Sequence, residues 1–170
     1  MILPANPISI PRQLSRKLPL LLARNSSRIP FPIRRLLAEK IFKTVFKEAL
    51  QEGDFDFLNG KTIKIEIKDA NINWYFTKQD RKITIKQYAQ EAASISGNLK
   101  EFILLAARRE DPDTLFFQRR LMIQGDTEVG LQMKNLLDTL DPECLPLALE
   151  KTIQLAADIV STDEPNVARG

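Results

Sequence analysis

Apolar and polar positions along this chain follow two different periods. From Ile33 to Gln51 apolar residues recur at helical spacing: Leu36, Leu37, Ile41, Val45 and Phe46 fall on one side, and Phe42, Ala49 and Leu50 widen it. Pro32 suits the first helical position and Gly53 follows the end. The period then changes to two, with Ile63, Ile65 and Ile67, then Ile72, Trp74 and Phe76, then Ile83 and Ile85, then Ala93 and Ile95 before Gly97. Lys64, Glu66, Asn73, Tyr75, Thr84, Ser94 and Ser96 take the alternate positions, which predicts an antiparallel sheet with one buried and one largely wet face. The short turns Asp69-Ala70-Asn71 and Gln79-Asp80-Arg81 predict hairpins, so three or four strands should form a meander.

Helical spacing returns after the strands. Asn98 with Glu101 three residues later reads as a capping box ahead of Phe102, Leu104, Leu105 and Ala106, in a helix running to about Arg109. Asp111-Pro112-Asp113 starts a helical turn carrying Leu115, Phe116 and Phe117, and Leu121 to Gln124 reads as a fifth strand closing at Gly125. Asp126 and Glu128 place negative charge at the start of a further helix whose inner face is Val129, Met133, Leu136, Leu137 and Leu140. Asp141-Pro142 ends it. A last helix from about Pro146 to Val160 is apolar almost all round, apart from Glu150, Gln154 and Asp158. The order of elements predicts an α+β fold: a five-stranded, mostly antiparallel sheet covered by helices.

Composition narrows the chemistry. At 170 residues, with 44% hydrophobic and 28% charged side chains, the chain can bury one core without disulfides or metals. It has no histidine, which removes Ser-His-Asp and Cys-His catalysis and histidine metal ligands. The lone Cys144 can form neither an intrachain disulfide nor a multi-cysteine zinc site, which suits a reducing compartment such as the cytoplasm. No apolar run reaches the 18 residues of a membrane-spanning helix, and the stretch Leu18 to Ala23 is too short for a signal peptide.

Charge divides the chain. Residues 1–38 contain Arg12, Arg16, Lys17, Arg24, Arg28, Arg34 and Arg35 and no carboxylate; the remaining 132 residues carry 18 of the 25 basic side chains against all 22 acidic ones. The overall +3 therefore combines a cationic leader with an anionic body. Six of the ten prolines lie at positions 4, 7, 11, 19, 30 and 32. Residues 1–30 thus read as a basic, proline-rich arm, 31–161 as the domain and 162–170 as a loose tail. In the arm Ile8, Ile10, Leu14 and Leu18 interleave with cations, and Arg12, Arg16, Lys17 and Arg24 are its candidate contacts to an anionic membrane surface or a partner. A packed or loose extension fits the same residues. No nucleic-acid reading motif accompanies the charge.

Individual polar groups have plain structural explanations. Asp111 and Asp113 resemble a metal-binding pair, but Asp before Pro at a helix start is a cap, and Asp126 reads the same way. Arg119 and Arg120 could grip a phosphate, yet adjacent strand residues face opposite ways and an ion pair with a helix carboxylate accounts for them. No pair among Glu101, Asp111, Asp113, Asp126 and Asp138 is placed for acid–base catalysis. The apolar inventory carries more. Trp74, Phe76, Phe102, Leu105, Phe116, Phe117, Met133 and Leu137 come from the sheet and from helical segments expected to cover it, where they form either plain core or the lining of an apolar cavity.

The stretch from Ala106 to Gly130, AARREDPDTLFFQRRLMIQGDTEVG, closely resembles ubiquinone-biosynthesis accessory factors of the sterol carrier protein type-two superfamily, and the likeness extends over roughly residues 33 to 160. The resemblance implies a sterol-carrier-like fold with helices over an apolar tunnel. It also implies a role in oxygen-independent ubiquinone synthesis beside peptidase-U32-type partners, UbiU and UbiV, with no cofactor of its own. The expectation is a non-catalytic protein, cytoplasmic or peripheral at the inner face of the membrane, that binds ubiquinone or polyprenylated precursors by the isoprenoid tail. An assembly module with a closed core, or a carboxylate-dependent lipid enzyme, remains an alternative.

Overall fold

The computed structural model describes residues 30–80, 82–139 and 147–161. The arm candidates Arg12, Arg16, Lys17 and Arg24, the helix-ending Asp141-Pro142, Leu140, Cys144 and the tail lie outside the described residues. Helix α1 (Phe31–Val45) starts after Pro30 with Pro32 in its first turn. At Phe46 the backbone leaves helical geometry (φ −104°, ψ 27°), and α2 (Lys47–Glu52) follows, ending at Gly53 in the left-handed conformation (φ 87°) that glycine adopts without strain. The single helix read over Ile33–Gln51 is therefore two, hinged at a buried phenylalanine. A 3-10 turn, Asp56–Leu58, leads into the sheet.

The strands are β1 (Thr62–Ile67), β2 (Ile72–Gln79), β3 (Lys82–Lys86), β4 (Ala93–Gly97) and β5 (Leu121–Gly125), in spatial order β3-β2-β1-β4-β5. The turns between β1, β2 and β3 place Asn71 and Asp80 at positive φ, 52° and 56°, as tight hairpins require. The meander stops at three strands. β4 crosses to the far side of β1 and runs parallel to it, and β5 closes that edge antiparallel to β4, so the sheet is mixed. A connection from β3 to β4 must cross one face of β2 and β1. Tyr88 within it meets Tyr75 at 5.8 Å between ring centres, which places the crossing on the polar face. That face is accordingly drier than alternation alone predicts, with Tyr75, Thr77, Ser94 and Ser96 buried.

On the other face the register aligns apolar side chains in rows across the sheet. Ile85, Phe76, Ile63 and Ala93 form one row; Trp74, Ile65, Ile95 and Ile123 form the next; Ile72, Ile67, Gly97 and Leu121 form the third. Helices cover these rows. α1 lies against β3 and α2, whereas α5 (Thr127–Asp138) lies against β4 and β5. Gly130 makes the second contact possible, because a Cβ there would sit 2.2 Å from the Ile123 side chain. Gly125 (φ 92°) closes β5 where a side chain would strike the Ala92 carbonyl at 2.4 Å.

Helices α3 (Leu99–Ala106) and α4 (Pro112–Phe117) connect β4 to β5, and α6 (Leu147–Ser161) packs on α3 through Ile153, Ala157 and Val160 against Leu104 and Ala107. The expected capping box at α3 does not form. Asn98 makes no side-chain cap, the Leu99 amide donates instead to Asp69 at 2.8 Å, and Glu101 turns inward to Arg120. The polar stripe of α6 is bound: Arg109 donates to Asp158 at 2.7 Å and to Gln154 at 3.3 Å, and Gln154 donates to the Ala107 carbonyl.

Candidate functional site

Two groups of helices cover the inner face of the sheet, and they share little direct contact: α1 with α2 over β3 and β2, and α5 with α4 over β4 and β5. Between them lies a seam along the central strands. Its floor takes Trp74, Ile65 and Ile123 from their row, on either side of the closed-off Ile95, and its sides include Phe42 from α1, Phe102 from α3, Phe116 from α4 and Leu137 from α5. All of these are half-buried, whereas Phe55, Ile63, Ile95 and Val129 around them are closed off from solvent. The half-buried side chains leave apolar surface that solvent still reaches beneath the helices.

Six of the eight candidates read from the sequence lie in or against the main cluster, and a seventh lies beside it. Phe76 and Met133 are buried in the main cluster, Trp74, Phe102, Phe116 and Leu137 pack against it, and Leu105 joins Leu115 and Leu121 in an adjoining cluster that Phe102, Phe116 and Leu137 also touch. Trp74 meets Phe76 edge-on at 6.4 Å. The eighth is elsewhere: Phe117 is 90% exposed and lines no interior. The reason is helical geometry. Adjacent positions on a helix point about 100° apart, and on the six-residue α4 the inward arc is taken by Leu115 and Phe116, which turns Phe117 to solvent. The candidates omit Phe42, Ile65 and Ile123; the alternation already placed Ile65 on the apolar face with Trp74, whereas the run Leu121-Met122-Ile123 gave no face for Ile123.

Charged groups around the seam hold the scaffold. Arg120 bridges two carboxylates, 2.6 Å from Glu101 and 2.6 Å from Glu110, which ties α3 to the start of β5. Burial works against its charge, but the hydrogen bonds it donates to Glu110 and Glu101 outweigh that and raise its pKa. Arg119, its neighbour, is exposed in the left-handed conformation. Asp111 caps α4; the Thr114 hydroxyl and then its amide hold the Asp111 carboxyl below the usual carboxylate range. Asp126 caps α5 through the Glu128 and Val129 amides, and its pKa is likewise lowered, first by the Lys61 ammonium at 3.0 Å and then by the Val129 amide. Asp113 pairs with Lys134. Among the described residues no cluster of His, Cys, Asp and Glu is placed to hold a metal, and no helix is long and apolar enough to cross a membrane.

Two further surfaces had no signal at the level of single residues. Helix α1 is apolar on both sides: Ala38, Phe42 and Val45 face the core, while Ile33, Leu36, Leu37 and Ile41 are 43–68% exposed on the other face. The spacing places Leu36, Leu37 and Ile41 on one side with Val45 and Phe46; the helix divides them. A cleft of about 410 Å³ also opens beside the seam, between the turn after α2 and the C-terminal half of α5. Gly53, Asp54, Asp56, Phe57, Gln132, Asn135, Leu136 and Thr139 line it, two segments far apart in sequence that only the fold brings together.

Residues 38–138, which hold the whole sheet, the seam and all of α5, match the SCP-2 sterol transfer family. The chain belongs to that family. Among curated proteins it is similar to the ubiquinone biosynthesis accessory factor UbiT of Escherichia coli K12, at 40% identity over 131 residues, 77% of this chain and 75% of the relative. The same figures hold for UbiT of the E. coli O6:H1 strain CFT073. Among solved structures it is similar to a UbiJ-SCP2 ubiquinone synthesis protein, with a TM-score of 0.52 and 18% identity, covering 65% of this chain and 93% of that one; this likeness concerns the fold. SCP-2 membership accounts for the mixed sheet with helices gathered on one face, and it gives the open seam between them a context in lipid transfer.

Proposed function

We propose that this chain is a non-catalytic lipid-binding accessory factor of oxygen-independent ubiquinone biosynthesis. It holds ubiquinone or a polyprenylated precursor by the isoprenoid tail and presents the ring to hydroxylating partners of the peptidase-U32 type, UbiU and UbiV. The observation that carries the reading is the seam of half-buried Phe42, Ile65, Trp74, Phe102, Phe116 and Leu137; the similarity to UbiT supports the pathway. The physical need for such a carrier is plain. Each CH₂ taken out of water is worth about 0.8 kcal/mol, so a long isoprenoid chain stays in the aqueous phase only when protein covers it. Contacts made by aromatic and aliphatic side chains accept a tail of any such chemistry, and Met133 beneath the seam adds a side chain that can reshape.

The ligand is collected at a membrane surface. The exposed Ile33, Leu36, Leu37 and Ile41 stripe on α1 supports this, since the same helix carries Arg34, Arg35, Lys40 and Lys43 against a single Glu39. An apolar face bordered by cations suits the anionic lipid interface. The basic arm, through Arg12, Arg16, Lys17 and Arg24, extends the same charge.

Native mass spectrometry of the purified full chain, with extraction of bound lipid, tests the carrier role. A stoichiometric quinone or polyprenylated phenol is the expected cargo. A folded protein that is empty, and stays empty when isoprenoid quinone is supplied, would leave assembly of biosynthetic proteins as its role.

A further inference from the structure

The cleft between the turn after α2 and the end of α5 has a composition unlike the seam. Its floor is apolar, Phe57 and Leu136, and both side chains belong to the same cluster that borders the seam. Its walls carry the amides of Gln132 and Asn135, and its rim carries the carboxylates of Asp54 and Asp56. No cation lines it. The ammonium that pairs with Asp56 is that of Lys78, whose side chain lies only 7% exposed on the sheet side. Asp54 is exposed and its carboxylate makes no hydrogen bond among the described residues. At about 410 Å³ the cleft is open to solvent and large enough to take a substituted ring.

We propose that this cleft receives the ring of the prenylated ligand and selects a neutral ring with hydroxyl donors, a phenol or hydroquinone, over one that offers only carbonyl oxygens. The assignment rests on the carrier reading above. A hydroxyl pointed at the Asp54 carboxylate makes a charge-assisted hydrogen bond, stronger than one between neutral groups. A quinone carbonyl in the same place has no proton to give and faces like partial charge. Phe57 and Leu136 contact the ring while the tail passes over them toward the seam.

The test uses delipidated full-length protein under argon and three probes with one short isoprenoid tail: the hydroquinone, the oxidised quinone and the simple tail alcohol. Equilibrium binding should place the hydroquinone roughly tenfold tighter than the other two, the effect of one hydrogen bond to a charged group. Asp54→Asn should bring the hydroquinone to the level of the quinone and leave the alcohol unchanged, with an unaltered melting curve. Asn135→Leu, at a second exposed wall position, should also narrow the difference. Equal binding of the three probes, or discrimination that survives Asp54→Asn, overturns the cleft assignment while the carrier reading stands. Failure of every tail-bearing probe to bind brings down the carrier reading and the cleft with it.

Discussion

Helices α1 and α5 cover two halves of one sheet, and they do it differently. α5 has a single apolar face: Val129, Met133 and Leu136 are buried, and Glu128, Asn135 and Asp138 are exposed, with Leu131 as the one large apolar exception. Its first turn is closed by the Asp126 carboxylate, and Gly130 lets its backbone settle directly on Ile123. α1 buries no residue completely, begins after Pro30 with no side-chain cap, and shows solvent a second apolar stripe. One helix is built into the core. The other is laid on it, with half of its hydrophobic surface still to be covered. A carrier needs that asymmetry, because a wall that must part for a bulky tail has to be the less firmly held one.

The largest expected effect separates the two walls. Met133→Ala should destabilise the domain by about 2–5 kcal/mol in chemical denaturation, as truncation of a buried side chain does. Leu36→Ala on the outer stripe of α1, 68% exposed, should change stability by no more than about 0.5 kcal/mol. Comparable losses from both would mean that the α1 stripe is covered in solution.

The next effect concerns what the stripe is for. Replacing Leu36 and Leu37 with serine should weaken attachment to anionic vesicles by at least tenfold in a flotation assay, since a buried leucine contributes roughly 1.5–3 kcal/mol. Neutralising Lys40 and Lys43 should weaken it less and abolish part of its salt dependence, at about 1 kcal/mol per cation. Attachment that ignores both sets of changes would place the lipid surface elsewhere on the molecule.

The neighbours Phe116 and Phe117 sharpen the comparison at the α4 end. Phe116→Asp puts a carboxylate among Leu115, Leu137 and Phe102 and should cost stability and quinone binding together. Phe117→Asp, at a side chain 90% exposed, should alter neither.

These contrasts also mark how much the sequence discloses. Strands β1, β3 and β4 were legible because their alternation is clear, and β2 and β5 because short apolar runs are bounded by turns. α5 was legible because it has a single apolar face. α1 was not: periodicity finds apolar residues at helical spacing but cannot tell a face that meets the sheet from one that meets solvent, and a helix with two such faces looks like one wide one. The parallel pairing of β4 with β1 was equally hidden, because strand pattern carries no direction. Asn98 and Glu101 matched a capping box by spacing, yet Arg120, distant in the chain, offers Glu101 a charged partner at 2.6 Å. Of the seam, single residues gave Trp74, Phe102, Phe116 and Leu137 but not Phe42, while the cleft depends on two segments meeting and left no local mark.

The smallest effect is a matter of pH at the two helix starts. The lowered pKa of Asp126 means that the unfolded chain binds its proton more readily than the folded one, so the cap stabilises fully above the ordinary carboxylate range. That contribution is lost progressively as the pH falls through this range toward the lowered value, when the carboxyl protonates and releases Lys61 and the two amides. Asp111 at α4 adds a term of the same sign. α1, which starts at Pro30 without a titrating cap, adds none. Thermal melts between neutral pH and about pH 3 should therefore fall less steeply for Asp126→Asn than for the native chain, with the variant already lower at neutral pH. Hydrogen exchange over the same range should show the first turn of α5 loosening while the start of α1, open from the outset, does not change. Parallel pH profiles for the two proteins would remove the cap as the reason α5 is the firmer wall, and leave the Gly130–Ile123 approach to account for it.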